Sequence, residues 1–257
     1  MGDGGDPELL YGVHPVLEAL THRRRSVERL LVARERQSGG VGRLLKLARE
    51  AGVAVSHVPR NVLERQLGRG VRHQGVVAVV AELPYADPDE ILAHAAGLAR
   101  AVVVALDGVQ DPHNLGSIVR SASAAGAAGL LIGSGVGLTG AAVKVAAGAA
   151  ESLPVARDPK LSRRLVEVRQ AGFRCVALDS RDGEPWDGVD LTGRIILVAG
   201  AEGKGLRPGI LDACQTRIQV PLAPGIDSLN VGVAMGVVLF EAVRQQRVRD
   251  RSPERKP

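Results

Sequence analysis

Apolar positions along the first eighty residues switch between two periods. Val13, Val16, Leu17 and Leu20 recur at i, i+3, i+4 and i+7, which predicts a helix, and the run VERLLVA from Val27 predicts a strand. The cycle then repeats: Val41, Leu44, Leu45 and Ala48 form a helical stripe ended by Gly52, VAVSHV reads as a strand, Asn61 to Leu67 as a short helix after Pro59, and GVVAVVA as another strand. This is the pattern of a small α/β domain, placed at residues 8–82. The segment ELPYADPDEILAHAAG carries Pro84, Pro88 and a cluster of acids and reads as a connection over 83–98.

From Arg100 the strands become continuous apolar runs: AVVVAL, GLLIGS, RCVAL, RIILVAG and RIQVPL. A parallel sheet covered on both faces has this appearance. Helical stretches at 114–125, 141–150, 160–171 and 229–247 separate them, giving βαβαβαβ order and an α/β domain at 99–247. Residues 248–257 are expected to be a basic disordered tail. The longest apolar run, Val231 to Phe240, is too short to cross a membrane, and the opening MGDGGDPELL has acids where a secretory leader needs basic and then apolar residues. A cytoplasmic protein is expected.

Charge divides unevenly. Residues 1–84 hold 13 Lys/Arg against 9 Asp/Glu, residues 85–243 hold 14 against 17, and residues 244–257 hold 6 against 2. Basic ends around an acidic middle suit a protein that grips a polyanion at its edges. With only two Phe, two Tyr and one Trp there is no aromatic platform for stacking bases, so any RNA contact leans on backbone and shape. Cys175 and Cys214 make neither a disulfide framework nor a CxxC pair and read as inert buried thiols. The six histidines lack metal-ligand spacing, and no serine lies in a GxSxG elbow.

Ligands of parallel α/β sheets bind beyond the carboxyl ends of the strands, so the chemistry is sought there. In GSGVGLTG, the residues Gly135, Gly137 and Gly140 match GxGxxG, but the run follows the second strand of its domain rather than opening the first βαβ unit, and the acids after it, Glu151 and Asp158, fall 11 and 18 residues beyond Gly140; an ordinary glycine-rich loop is the better reading. LDGVQDPHNLGSIVRSASAAGA joins a strand to a helix that Asn114 can cap, with Arg120 off its buried stripe. LVAGAEGKGL ends a strand in Gly200, Gly203 and Gly205 around Glu202. Its Lys204 precedes Gly rather than Ser or Thr, which excludes a P-loop. VPLAPGIDSLNVGVAMGVVLFEAV runs from a rigid turn into an apolar helix that Ser228 or Asn230 can cap.

In this order and spacing, LDGVQDPHNLGSIVRSA, KVAAGAAESLPV, LVAGAEGKGLR and SLNVGVAMGVVLFEAVRQ resemble the motifs of the SpoU/TrmH branch of the SPOUT RNA methyltransferases. YGVHPVLEAL and HQGVVAVV resemble that family's N-terminal substrate-binding domain, so the likeness runs from Tyr11 to Gln245. It is greatest to members that methylate a guanosine ribose of 23S rRNA. The resemblance implies an α/β-knot catalytic domain, with a deep trefoil knot and a mostly parallel sheet, beside a smaller L30e-like α/β domain. It implies transfer of a methyl group from S-adenosylmethionine to a ribose 2′-hydroxyl, and a homodimer through the catalytic domain with the pocket completed near the partner chain. RNA, and neither DNA nor a membrane, is the implied macromolecular partner.

Carried onto this chain, the resemblance makes Asn114, Arg120, Glu202, Ser228 and Asn230 the catalytic set, and sets Gly200, Val220 and Leu229 against the cofactor. A guanidinium stays protonated, its pKa being above about 12, so Arg120 is read as stabilising alkoxide charge and clamping the adjacent phosphate rather than as a base. Asn114 and Glu202 are expected to fix Arg120 and the ribose, and Glu202 is the nearest proton acceptor. The apolar run on helix 229–247 is a candidate dimer surface. Two other functions compete: modification of tRNA or of another rRNA nucleotide, including a drug-resistance site, and a non-catalytic RNA-binding or ribosome-assembly factor.

Overall fold

A computed structural model of the chain describes residues 8–34, 39–68 and 70–251. In chain order these form β1 (Glu8–Tyr11), α1 (Val13–His22), β2 (Val27–Ala33), α2 (Gly39–Glu50), β3 (Ala54–Val58), α3 (Arg60–Leu67), β4 (Val76–Val80), α4 (Pro88–Ala96), β5 (Ala101–Val109), α5 (Pro112–Ala124) and β6 (Gly129–Gly135). They continue with α6 (Gly140–Ala146), α7 (Ala149–Ser152), β7 (Val155–Arg157), α8 (Leu161–Glu167), β8 (Arg174–Leu178), β9 (Glu184–Pro185), a single 3₁₀ turn, β10 (Arg194–Gly200), α9 (Pro208–Leu211), β11 (Thr216–Gln219) and α10 (Val231–Arg251). The chain divides into two compact units, Met1–Pro84 with Ala147–Ser152, and Tyr85–Ala146 with Leu153–Pro257.

The first unit is a four-stranded sheet in the order β1-β4-β2-β3, with β2 and β3 parallel and the other pairs antiparallel. Successive side chains of β2 point to opposite faces. Leu30 and Val32 pack with Val16, Leu20 and Leu44 of α1 and α2, while Leu31 and Ala33 pack with Leu63 of α3. The two motif segments of this unit meet at one turn. Gln74, at φ 52°, accepts a hydrogen bond on Oε1 from Val13 N–H at 3.0 Å and so caps α1, whose N-cap position is Gly12. The segment 147–152 belongs here because Arg25 reaches Glu151 with two nitrogens, at 3.2 and 2.5 Å, and Glu8 at 2.7 Å.

The second unit holds a seven-stranded sheet in the order β7-β6-β5-β10-β8-β11-β9, parallel at every pairing. Val103, Ala105, Ile196, Val198, Cys175 and Ala177 pack on one face with Ile91, Leu92, Leu161 and Leu165 of α4 and α8. Buried residues of α5 and α10, among them Leu115, Ile118, Met235 and Val238, complete the core. Beyond β5 the chain builds outward through β6 and β7; it then crosses to β8 and returns to insert β10 between β5 and β8. That reversal puts a topological switch point at the carboxyl ends of β5 and β10, where Asp107 and Gly200 stand in register.

Several sequence expectations change. The stretch 83–98 is not a mere connection: α4 buries Ile91, Leu92 and Ala95, and Ala86 bridges Ala156. The expected helix 141–150 breaks into α6 and α7 because Ala147 and Gly148 sit at φ 52° and 94°, outside helical space. The helix expected over 160–171 is shorter, and that expected over 229–247 runs from 231 to 251. The expected tail is therefore helical as far as Arg251, and residues 252–257 lie outside the described residues. Strands β1, β7 and β9 and helix α9 carry no pattern that periodicity detects.

Candidate active site

Three segments far apart in sequence meet at the switch point. Asp111 caps α5, its Oδ1 accepting from His113 N–H at 2.8 Å, and Pro112 occupies the first helical position. Asn114 is therefore not the cap that its position in the sequence suggested. It lies one turn inside the helix, buried at 6% exposure, and its amide is free for tertiary bonds. Asn114 Nδ2 donates to Glu202 Oε1, and Asn114 Oδ1 accepts from Asn230 Nδ2 at 2.8 Å. Asn230 Oδ1 in turn caps α10 by accepting from Gly232 and Val233 N–H at 2.9 and 3.2 Å. Each amide thus has a fixed orientation, set by donors and acceptors at both ends.

Small residues let the helices approach closely enough for this. A Cβ on Gly116 would lie 2.5 Å from the Ala142 carbonyl oxygen of α6, and one on Gly232 would lie 2.4 Å from Ser117 Oγ of α5. A side chain at Gly116 would push α5 off α6, and one at Gly232 would press on Ser117 and Asn230 where α10 meets α5.

Glu202 is exposed on a tight turn. Ala201 and Gly205 exchange backbone hydrogen bonds at 3.1 and 2.8 Å, with Gly203 and Gly205 at positive φ. The missing Cβ of Gly200 is filled by this turn: it would lie 2.4 Å from Gly205 backbone atoms. The chain's own backbone, rather than a ligand, demands glycine there. The same holds for the glycine-rich run after β6, where a Cβ on Gly135 would meet the Val109 carbonyl oxygen at 2.1 Å.

Arg120 does not join the cluster. It stands six residues beyond Asn114, about 9 Å along the helix axis, exposed and with no hydrogen-bond or ion-pair partner among the described residues. Asn114 bonds Glu202 on one side and Asn230 on the other, and none of the three bonds Arg120. Ser228 and Leu229 are exposed in the loop before α10, and Ser228 makes no hydrogen bond among the described residues.

One pair escaped the sequence reading. Asp107, 1% exposed at the end of β5, accepts two hydrogen bonds from Arg207, at 2.6 and 2.7 Å, and a third from Ser134 Oγ at 2.8 Å. Hydrogen bonding to Asp107 raises the Arg207 pKa above its ordinary value. The bridge ties the turn carrying Glu202 to the end of β5. An acid ending an apolar strand was the one available signal.

The residues present suit an adenosine-bearing cofactor. Val220 is half-buried at the carboxyl end of β11. From there residues 221–229 return toward Asn230 with only one backbone hydrogen bond among themselves in the described structure, Ile226 N–H to Ala223. Unpaired backbone groups beside apolar Val220 and Leu229 are what adenine recognition without charged side chains requires. Sheet, switch point and amide–carboxylate cluster define the class: an α/β protein with a candidate ligand site at the carboxyl edge of a parallel sheet.

Known proteins place it further. Residues 101–240 match the SpoU rRNA Methylase family, and residues 9–86 match the RNA 2′-O ribose methyltransferase substrate binding domain. A tRNA/rRNA methyltransferase of Mycolicibacterium vanbaalenii, itself uncharacterised, is 38% identical over 245 residues, 94% of this chain and 78% of the relative. The SpoU methyltransferase AviRb from Streptomyces viridochromogenes, solved alone and with AdoMet, superposes with a TM-score of 0.76 at 29% identity, covering 95% of this chain and 91% of that one. An AdoMet-bound rRNA methyltransferase from Sinorhizobium meliloti gives 0.75 at 27% identity, covering 93% and 87%. The chain belongs to the SpoU family and is an S-adenosylmethionine-dependent RNA methyltransferase. Among the described residues, no helix is long and apolar enough to cross a membrane.

Proposed function

We propose that the protein methylates a ribose 2′-hydroxyl of ribosomal RNA, specifically a guanosine of 23S rRNA, as the RlmB type of this family does, and that it works in the cytoplasm. The observation that carries the reading is the cluster Asn114–Glu202–Asn230. It fixes a carboxylate at the switch point by one oxygen and leaves Glu202 Oε2 without a partner among the described residues. That free oxygen can take the proton of a sugar hydroxyl. Arg120, with its donors uncommitted, clamps the neighbouring phosphate and stabilises the charge that develops as the hydroxyl oxygen attacks. Ser228 adds a hydroxyl contact at the same edge. S-adenosylmethionine, held by Gly200, Val220 and Leu229, supplies the electrophilic methyl group.

The first unit serves as the L30e-like RNA-binding module and the second as the catalytic domain. A homodimer through α10 completes the pocket. The stripe Leu229, Val233, Val237 and Phe240 is 36–54% exposed although the helix's other side, with Met235, Val238 and Leu239, is buried. Apolar side chains exposed along one side of a helix support the reading of an interface there.

Transfer of labelled methyl groups to rRNA from a strain lacking this gene, followed by ribose-methylation mapping, tests the reading. One 2′-O-methylguanosine in 23S rRNA is expected. A methylated tRNA would overturn the substrate, and cofactor binding without transfer to any RNA would overturn the enzyme.

A further inference from the structure

The opposite edge of the catalytic unit's sheet is built differently. A solvent-open hollow of about 920 Å³ lies at the amino ends of β5, β8 and β10, lined by Arg100, Arg174, Arg194 and Arg249 together with Gly172 and Thr192. Arg194 and Arg174 begin their strands, and register sets Arg194 beside Ala101 and Arg174 beside Ile195. A second hollow of about 480 Å³ shares Leu98, Arg100 and Gln246 with the first and adds Arg247. The two form one track with five guanidiniums along it.

What holds these arginines is as telling as their number. Arg174 donates to the Thr192 carbonyl at 2.8 Å, Arg194 to the Ala96 carbonyl at 2.7 Å, and Arg249 to Thr192 Oγ1 at 2.8 Å. Arg194 also lies over the Phe173 ring, 6.0 Å from its centroid. Gly172 leaves room for it, since a Cβ there would come within 2.8 Å of its guanidinium. Neutral acceptors fix a guanidinium's direction without cancelling its charge. Asp190 lies 3.7 Å from Arg174 and also feels the charge of Arg249; it is the carboxylate set against these three among the described residues. The carbonyl end of α10 adds about half a negative charge. Set against Asp190 and the helix end, Arg174, Arg194 and Arg249 alone leave a positive excess on oriented donors.

We propose that this track is a phosphate-binding site that takes the sugar–phosphate backbone of an RNA segment lying away from the methylated ribose. The choice of an RNA strand over a free phosphate compound rests on the RNA-modifying function and on the length of the track. The site gives a role to the basic C-terminal stretch, whose Arg247 and Arg249 α10 delivers to it.

The test compares the full chain with Arg174→Gln/Arg249→Gln and with a charge-matched control, Arg163→Gln/Arg169→Gln, on exposed positions of the same unit. Affinity for a short RNA hairpin is measured against salt. Every phosphate that the protein no longer neutralises should flatten the log–log salt slope by about one unit. We expect the first variant's slope to fall by between one and two units and its binding at low salt to weaken at least tenfold, with the control close to wild type. S-adenosylmethionine affinity should not move, and far-UV circular dichroism should show both variants folded at the assay temperature. Millimolar pyrophosphate should compete with RNA for the wild type and not for the variant. Slopes equal in variant and control would overturn the site. Tight pyrophosphate binding that disappears in the variant, with RNA binding unchanged, would overturn RNA as the occupant. Methyl transfer by a chain with equal slopes would leave the catalytic reading standing, so the two can fail separately.

Discussion

The two edges of the seven-stranded sheet show how one scaffold serves two electrostatic ends. At the carboxyl edge polar groups hold one another: Asn230 donates to Asn114 and Asn114 to Glu202, and Asp107 is shared between Arg207 and Ser134. At the amino edge Arg174, Arg194 and Arg249 rest on carbonyls and a hydroxyl, with Asp190 the carboxylate near them among the described residues. The first arrangement needs no reorganisation when a reaction occurs and suits transition-state stabilisation. The second leaves charge unbalanced until an anion arrives and suits graded, salt-sensitive affinity. Substitutions at the first edge should therefore change rate, and those at the second only RNA binding.

Arg120→Ala should draw that line most sharply. The exposed guanidinium has no intramolecular partner to lose, so stability should hold, while methyl transfer falls by about 10³-fold and S-adenosylmethionine affinity stays within a few-fold by calorimetry. Substantial residual transfer would remove Arg120 from the chemistry. Glu202→Gln keeps an oxygen for Asn114 to donate to but loses the proton acceptor, so kcat should fall by about 10²-fold or more with KM for S-adenosylmethionine little changed. An unchanged kcat would assign the proton to another group.

Asp107→Ala tests whether the carboxyl edge depends on its buried ion pair. Asp107 has no exposure and Arg207 is 60% exposed, so the loss falls on a partly solvated cation and costs about 2 kcal/mol. That corresponds to a fall of about 4–8 °C in Tm for a chain of this size. Because the bridge anchors the Glu202 turn, cofactor affinity should fall with it. A lower Tm with intact cofactor binding would make the pair purely structural.

The sequence made much of this readable, for physical reasons. Continuous apolar runs announced the buried parallel strands, and Asn114, Glu202 and Asn230 stood in turns where such sheets bind ligands. What escaped were features decided by tertiary contact. Ala147 lies in an alanine-rich run that favours helix, yet turns left-handed to deliver Glu151 to Arg25 in the first unit, and no local pattern records a partner 126 residues away. Asp107 and Arg207 are separated by 100 residues, and neither neighbourhood marks the pair. The amino-edge arginines are scattered singly through the chain and gather only when β8 and β10 are set side by side. Arg120 shows the reverse: its motif was plain, but not that Asn114 would be committed elsewhere.

The smallest effect concerns the first unit, where one polar atom lacks what every amide at the carboxyl edge has. His73 is 1% exposed, its Nδ1 accepts from Gly75 N–H at 3.1 Å, and its Nε2 is buried without a partner. Burial lowers its pKa, and Arg60 lowers it further against a weaker opposing pull from Glu64. A proton on Nδ1 would also break the Gly75 bond that holds the turn beneath Gln74. For a base whose folded pKa lies below its unfolded value of about 6.5, the stabilising contribution is complete above that value and is lost as pH falls toward the folded pKa. The first unit should therefore weaken from about pH 7 downward, by no more than about 1.4 kcal/mol per pH unit for a single proton. His73→Asn can still accept from Gly75 N–H through an Asx turn but does not titrate. Urea unfolding followed across this range should give a shallower pH dependence for the variant than for the wild type, whereas parallel curves would mean that the turn tolerates the charge and that the orphaned nitrogen has no thermodynamic consequence.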